Sequence, residues 1–209
     1  MTDRVVTIVE PPAERMVTLD EAKAHLRVDH DDDDALIEAY ILAAEQRIDG
    51  PRGICGRCFQ PQKLRVAFHS FGECIELPFP PLISVDSITY LDSNGDEQTF
   101  AETGNWRVIG VGSEQGASIV PLYGVEWPSL LATADPDLVR VTFNAGYIAT
   151  SSPENNKVPE TVRAAVKLIV SDWYEFRSST VIGTTAAPLP HGAEMLLAPY
   201  RTAGAYMAV

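Results

Sequence analysis

Basic residues are scarce in this chain. There are 16 of them against 29 acids, and the net charge is −13. A protein that grips nucleic acid shows a basic face, and no basic cluster occurs here, so direct DNA binding is not expected. An acidic wall can still serve DNA by repelling phosphate where it must pass. Cysteines are also few. Cys55, Cys58 and Cys74 make an odd number, which argues against a secreted disulfide framework. No apolar run approaches the roughly 20 residues of a membrane span. The start, MTDRVVTIVEPP, lacks the long apolar core and cleavage site of a signal peptide. The expectation is a protein made in the cytoplasm, with no membrane partner. Motifs of catalysis are missing as well: no nucleophile elbow, phosphate loop, Rossmann fingerprint or HExxH. The four histidines, His25, His30, His69 and His191, fall in different elements.

What is present begins with Val158 to Ser178. Pro159 suits a helix start and Glu160 complements its dipole. Val162, Ala165, Val166, Ile169, Val170, Trp173 and Phe176 then follow the i, i+3, i+4, i+7 rhythm of one buried face. Trp173 and Phe176 are expected to bury the most area, as core and not as a cofactor box. Earlier, Thr18-Leu19-Asp20-Glu21 reads as a capping box opening a short helix that ends near Val28. Asp31 to Asp34 is a run of four acids. One reading is a divalent-metal site. The favoured reading is a helix N-terminus capped by Asp31, because adjacent acids point in different directions. Leu36, Ile37, Tyr40, Ile41, Ala44 and Ile48 continue that helix to Gly50-Pro51. Between Asp20 and Asp49 there are ten acids and three bases, so the negative charge is concentrated on this hairpin. Such a run is usually a solvated face.

Strand patterns fill the middle. Val5, Val6, Ile8 and Val9 predict an edge strand ended by Pro11-Pro12. From Gln60 to Ile148 the period turns to two at Leu64, Val66 and Phe68, at Ile75 and Leu77, and at Val85, Ile88 and Tyr90. It returns at Trp106, Val108 and Ile109, at Ile119 and Val120, and at Val139, Val141 and Phe143. Asp92 to Asp96 reads as a hairpin turn. The fold class expected is α+β: a helical bundle, made of a hairpin and a late long helix, with an inserted antiparallel β subdomain and an extended C-terminal tail. The domains expected are an arm at 1–17, a helical core at 18–59 and 149–178, the β insert at 60–148, and a linker and tail at 179–209. Ser178 to His191 shows no period and reads as a connector. The tail beyond it is small and apolar, and either frays or docks on a partner.

One metal constellation is available. Cys55, Cys58, His69 and Cys74 give C-x2-C-x10-H-x4-C, a four-ligand zinc pattern. Strand placement of His69 and the packing habit of free cysteine weigh against it. A small metal- or thiol-dependent enzyme using Cys55, Cys58 and His69 is the corresponding alternative function.

Three segments together carry a family resemblance. TLDEAKAHLRVDHDDDDALIEAYILAAEQRI (Thr18 to Ile48) resembles the opening hairpin of head–tail connector, or neck adaptor, proteins of tailed double-stranded DNA phages and phage-like particles. IELPFPPLISVDSITYLDSNG (Ile75 to Gly95) is similar to the β segment of longer members. VPETVRAAVKLIVSDWYEFR (Val158 to Arg177) resembles their late helix with its W-Y-x-x-R ending. The resemblance implies a structural protein of the virion neck, assembled in the bacterial cytoplasm, with neither enzymatic activity nor cofactor. It implies a ring of twelve copies beneath the portal protein, joined to a stopper or tail-terminator protein, with packaged DNA passing through unread. Carried over, Leu196, Leu197, Pro199, Tyr200 and Arg201 become portal-docking residues, and Asp31, Asp32, Asp33 and Asp34 become a non-sticking channel wall. The resemblance also makes Cys58 a packing residue. A stopper or tail-completion protein at the same neck is the nearest alternative.

Overall fold

A computed structural model describes residues 5–148, 157–176 and 189–202. The chain forms two compact units, Met1–Ala13 with Cys58–Asn156, and Glu14–Arg57 with Lys157–Val209. The first is built of strands and the second of helices, and both sheets are antiparallel.

In the first unit the strands are β1 (Val5–Glu10), β2 (Gln62–Phe68), β3 (Ile75–Leu77), β4 (Leu82–Leu91), β5 (Glu97–Thr99), β6 (Trp106–Ile109), β7 (Ala117–Pro121) and β8 (Val139–Ala145). They make a five-stranded sheet in the order β1-β2-β8-β4-β5 and a three-stranded sheet in the order β3-β7-β6. Strand β8 alternates buried and half-buried residues along its whole length, which fixes its register. That register sets Phe143 against Leu64 and Val141 against Val66 on one side, and Val141 against Ile88 on the other. Trp106, Ile119, Ala117, Ile75 and Leu77 of the smaller sheet join these residues in one apolar core. An aromatic group closes it: Phe71 and Trp127 stack with centroids 4.7 Å apart, and Tyr90 and Phe100 lean on Phe71. Gly146 has φ of +130°, and a Cβ there would strike the Gln60 carbonyl, so the chain leaving β8 needs glycine. The Asp92 turn is present; its Oδ1 accepts from the N–H of Asn94 at 2.9 Å and of Asp96 at 3.1 Å.

The second unit holds α1 (Leu19–Leu26), α2 (Asp34–Ile48), α3 (Glu160–Glu175) and α4 (His191–Leu197), the last followed by a 3-10 turn at Ala198–Tyr200. The capping box is formed. Glu21 N–H donates to Thr18 Oγ1 at 3.2 Å, and Thr18 N–H donates to Glu21 Oε2 at 3.1 Å. Arg27 then ends α1 in the left-handed conformation, with φ of 59°. Ile37, Ile41, Ala44 and Ile48 of α2 are buried, as are Val162, Ala165, Val166, Ile169 and Val170 of α3. One expectation about α3 fails: Phe176 lies past the helix end and is 51% exposed. Trp173 is half-buried, edge-on to Tyr40 at 6.2 Å. The aliphatic residues of the stripe are the ones fully buried, from the first turn onward, where α3 packs on α1, α2 and α4. The expected Arg177 ending lies outside the described residues. Where an extended tail was expected, residues 191–200 are helical, and α4 packs on α3.

Candidate functional site

The acidic run does not act as one site. Helix α2 begins at Asp34, its N-cap position is Asp33, and no side chain caps it, so the expected capping by Asp31 is not made. Asp31 is diverted by Lys23. The Lys23 ammonium donates to Asp31 Oδ1 at 2.7 Å and to Asp34 Oδ1 at 2.6 Å, a clasp from α1 to the start of α2. These bonds push the Lys23 ammonium to a higher pKa and hold the Asp31 carboxyl below its ordinary value. Asp33 accepts from the Tyr174 hydroxyl of α3 at 2.6 Å. Asp32 is left facing solvent, its side chain 97% exposed, with His30 Nδ1 4.0 Å away. Asp31 and Asp34 thus share Lys23, Asp33 takes Tyr174, and Asp32 faces solvent, so the four carboxylates do not converge on one point.

The zinc pattern is likewise divided. Cys58 lies in the apolar core of the sheet unit, and His69 Nδ1 sits 2.8 Å from the Asp135 carbonyl. Cys55 belongs to the helical unit, where burial pushes its thiol up to about 11. A thiol held protonated this way is a poor nucleophile. Cys74 is half-buried, beside an open hollow of about 250 Å³ lined by residues 68–76. Among the described residues, no group of three or more His, Cys, Asp or Glu is arranged to hold a metal ion.

Around α4 the five tail residues separate into two sets. Leu197 is fully buried. The Tyr200 hydroxyl lies 2.9 Å from Thr161 Oγ1 of α3, and the Arg57 guanidinium stands over its ring at 5.6 Å. Arg201 pairs with Glu194 at 3.5 Å. Leu196 is half-buried and Pro199 is exposed; Met195, which the sequence reading passed over, is 64% exposed. The next residue, Thr202, is fastened by its N–H to the Cys55 carbonyl at 3.0 Å and by its hydroxyl to the Gly56 carbonyl at 3.2 Å. The tail thus returns to the turn after α2 and is latched there.

Glu45 is the polar residue the sequence hides best. It is 2% exposed, on the buried face of α2. Its Oε1 accepts from the N–H groups of Met16 at 2.6 Å and Val17 at 3.2 Å, and Arg15 lies 3.5 Å from Oε2. Burial pushes its carboxyl pKa up, against the pull of those bonds. The residue pins the segment that enters α1. Its only sequence signal is position: Glu45 follows Ile37, Ile41 and Ala44 on the apolar stripe. Arg163 does a similar service from α3, pairing with Glu21 of α1 and, at 3.0 Å, with Glu160.

Residues 16–90 match the family model described as Phage gp6-like head-tail connector protein. The match spans the hairpin segment and most of the Ile75–Gly95 segment that carried the resemblance, and stops before α3. No curated protein matches the chain. Among solved structures, a chain in the neck of an empty GTA particle, with C6 symmetry, is similar at a TM-score of 0.71 and 23% identity over 95% of both chains. A chain in the virion of a native gene transfer agent particle gives the same values. A chain in the neck of a native GTA particle with C12 symmetry matches at a TM-score of 0.61, again at 23% identity and 95% coverage of both chains. The chain thus carries the sequence pattern of phage gp6-like head-tail connector proteins over residues 16–90 and, nearly end to end, a fold found in gene transfer agent particles.

Proposed function

We propose that this protein is a structural head–tail connector in the neck of a phage or phage-like particle. Twelve copies form a ring under the portal protein, receive a stopper or tail-terminator protein on the other side, and surround the DNA path. The ring assembles in the bacterial cytoplasm and ends in the virion. Its role is mechanical, without catalysis. The observation that carries this reading is the joint one: a connector-family match at 16–90 and likeness over 95% of both chains to chains of neck and virion structures. The raised pKa of the buried Cys55 thiol and the engagement of Asp31 and Asp34 by Lys23 and of Asp33 by Tyr174 fit a role without chemistry.

Portal docking is proposed for the tail, with the work divided. Leu196 and Pro199, together with Met195, meet the portal. Leu197, Tyr200 and Arg201 hold the tail in place. The acidic hairpin is proposed to line the channel, where Asp32 is the carboxylate most open to solvent. Negative charge there keeps passing phosphate from sticking.

The test is co-sedimentation with portal rings from the same genome. The full chain is expected to sediment with the rings. A Met195→Asp/Pro199→Asp variant, altered only at exposed positions, is expected to stay in the supernatant while keeping the wild-type circular dichroism. Equal binding by both removes the tail from the interface. Failure of the full chain to bind contradicts the connector reading itself.

A further inference from the structure

Strand β1 is an edge without the usual guards. Among the described residues it pairs on one side only, with β2. Residues 5–9, Val-Val-Thr-Ile-Val, hold neither charge nor proline. Val5 is 52% exposed, Ile8 38% and Val9 39%. The one irregularity in its pairing comes at the end, between Ile8 and Glu10. Proteins ordinarily blunt such an edge with charge, proline, a bulge or brevity, because open N–H and C=O groups invite another strand. The far edge of the same sheet is blunted in that way. β5 has three residues, all exposed, and its Glu97 is tied to Arg140 at 2.7 Å.

A second apolar edge lies on the smaller sheet. β6 is its terminal strand; Ile109 is 50% exposed and Val111, just beyond, 58%. The one charged residue of β6 is Arg107, which is exposed. The one charged residue of β1 is Glu10, also exposed.

We propose that β1 of one copy adds, edge to edge, to β6 of a second copy of this chain. Charge selects the occupant. A chain of net charge −13 repels its own copies over most of its surface, so copies approach at least cost through uncharged edges. Glu10, which also pairs with Lys63 at 3.0 Å, ends β1, and Arg107 lies near the start of β6, so an antiparallel addition brings these opposite charges to the same end of the contact. Backbone hydrogen bonds give such a pairing its affinity, and alternate side chains set its register. The inference rests on the ring reading: two different edges meeting head to tail form a contact that repeats around a closed ring.

The experiment places a photo-reactive benzoylphenylalanine at Ile8 of the full chain, irradiated alone at high concentration and again on portal rings. The expected product joins two copies, with the second attachment between Trp106 and Gly112. A Val5→Glu/Val9→Glu variant, changed only at exposed positions, is expected to melt like the parent and to self-associate roughly tenfold more weakly, the scale of burying an unpartnered polar group against the apolar Ile109 and Val111 edge. A β1-to-β1 product, attachment only to another protein or within one copy, or unchanged association of the variant overturns the pairing. Portal binding is read separately. A chain that sediments with portal rings but gives no β1–β6 product loses this pairing and keeps the connector reading. A chain that does not sediment loses the connector reading.

Discussion

The two units are held together by different physics. The sheet unit has a core of aliphatic and aromatic side chains along β2, β8, β4 and the smaller sheet. The helical unit has an aliphatic stripe too, but polar contacts join its pieces: Glu45 to Met16 and Val17, Arg163 to Glu21, Tyr174 to Asp33, and Thr202 to Cys55 and Gly56. Apolar burial is non-directional and does not depend on ionisation. Charge-assisted hydrogen bonds are directional and fail when a group changes its proton. Acid and salt should therefore loosen the helical unit before the sheet unit, and single polar substitutions should matter more in the former.

The largest effect is expected in the sheet. Phe143→Ala empties a fully buried position between two strands and should cost about 3–5 kcal/mol in denaturant unfolding. An equal effect from a polar surface change in the same unit would break the contrast. Next comes Glu45→Ala, which leaves two buried N–H groups without their acceptor and should cost roughly 2–4 kcal/mol. Exchange of the Met16 and Val17 amides should rise with it. Thr202→Val should cost about 1 kcal/mol and raise amide exchange in α4 more than in α3. Thr18→Ala should cost a similar ~1 kcal/mol by removing one half of the capping box. The smallest effect is expected from Lys23→Met, at the clasp of Asp31 and Asp34, and that effect should fade with added salt because the Asp31 carboxylate is exposed.

The pH dependence sharpens the same comparison. Glu21 is held below its ordinary 4.5, first by the Thr18 backbone bond and then by Arg163. Asp31 is held below 3.8 by Lys23. Each contributes stability that is present above the unfolded-state value and is lost as pH falls through the lower folded value. Glu45 acts in the opposite sense. Its folded pKa is raised above 4.5, so the folded protein binds that proton first. Its contribution to stability falls as pH rises from 4.5 through the folded value. Glu45→Gln should remove that slope and leave the acid limb of Glu21 and Asp31 in place, as read from urea unfolding at a series of pH values.

Local features were the legible ones. The capping box of Thr18 and Glu21, the Asp92 turn, the apolar rhythm of α3 and the alternation of β8 are each written within a few residues. What was hidden depends on distant partners. Nothing in the sequence places β8 between β2 and β4 and sends β3, β6 and β7 to a second sheet, because alternation gives a strand its faces but not its neighbours. The Thr202 latch joins positions separated by 147 residues. Phe176 misled because a helical rhythm continues on paper past the point where the helix stops. Asp31 misled because the Lys23 ammonium offers its carboxylate a stronger partner than the backbone of α2. Of the candidate tail residues, the apolar character was readable, but which ones face inward was not.

The most direct measurement is native mass spectrometry of portal rings from the same genome, saturated with this protein. The account predicts mass steps ending at a full complement, one copy for each portal subunit, with few partly filled rings because copies support their neighbours. Portal rings whose mass does not change in the presence of excess protein would contradict it.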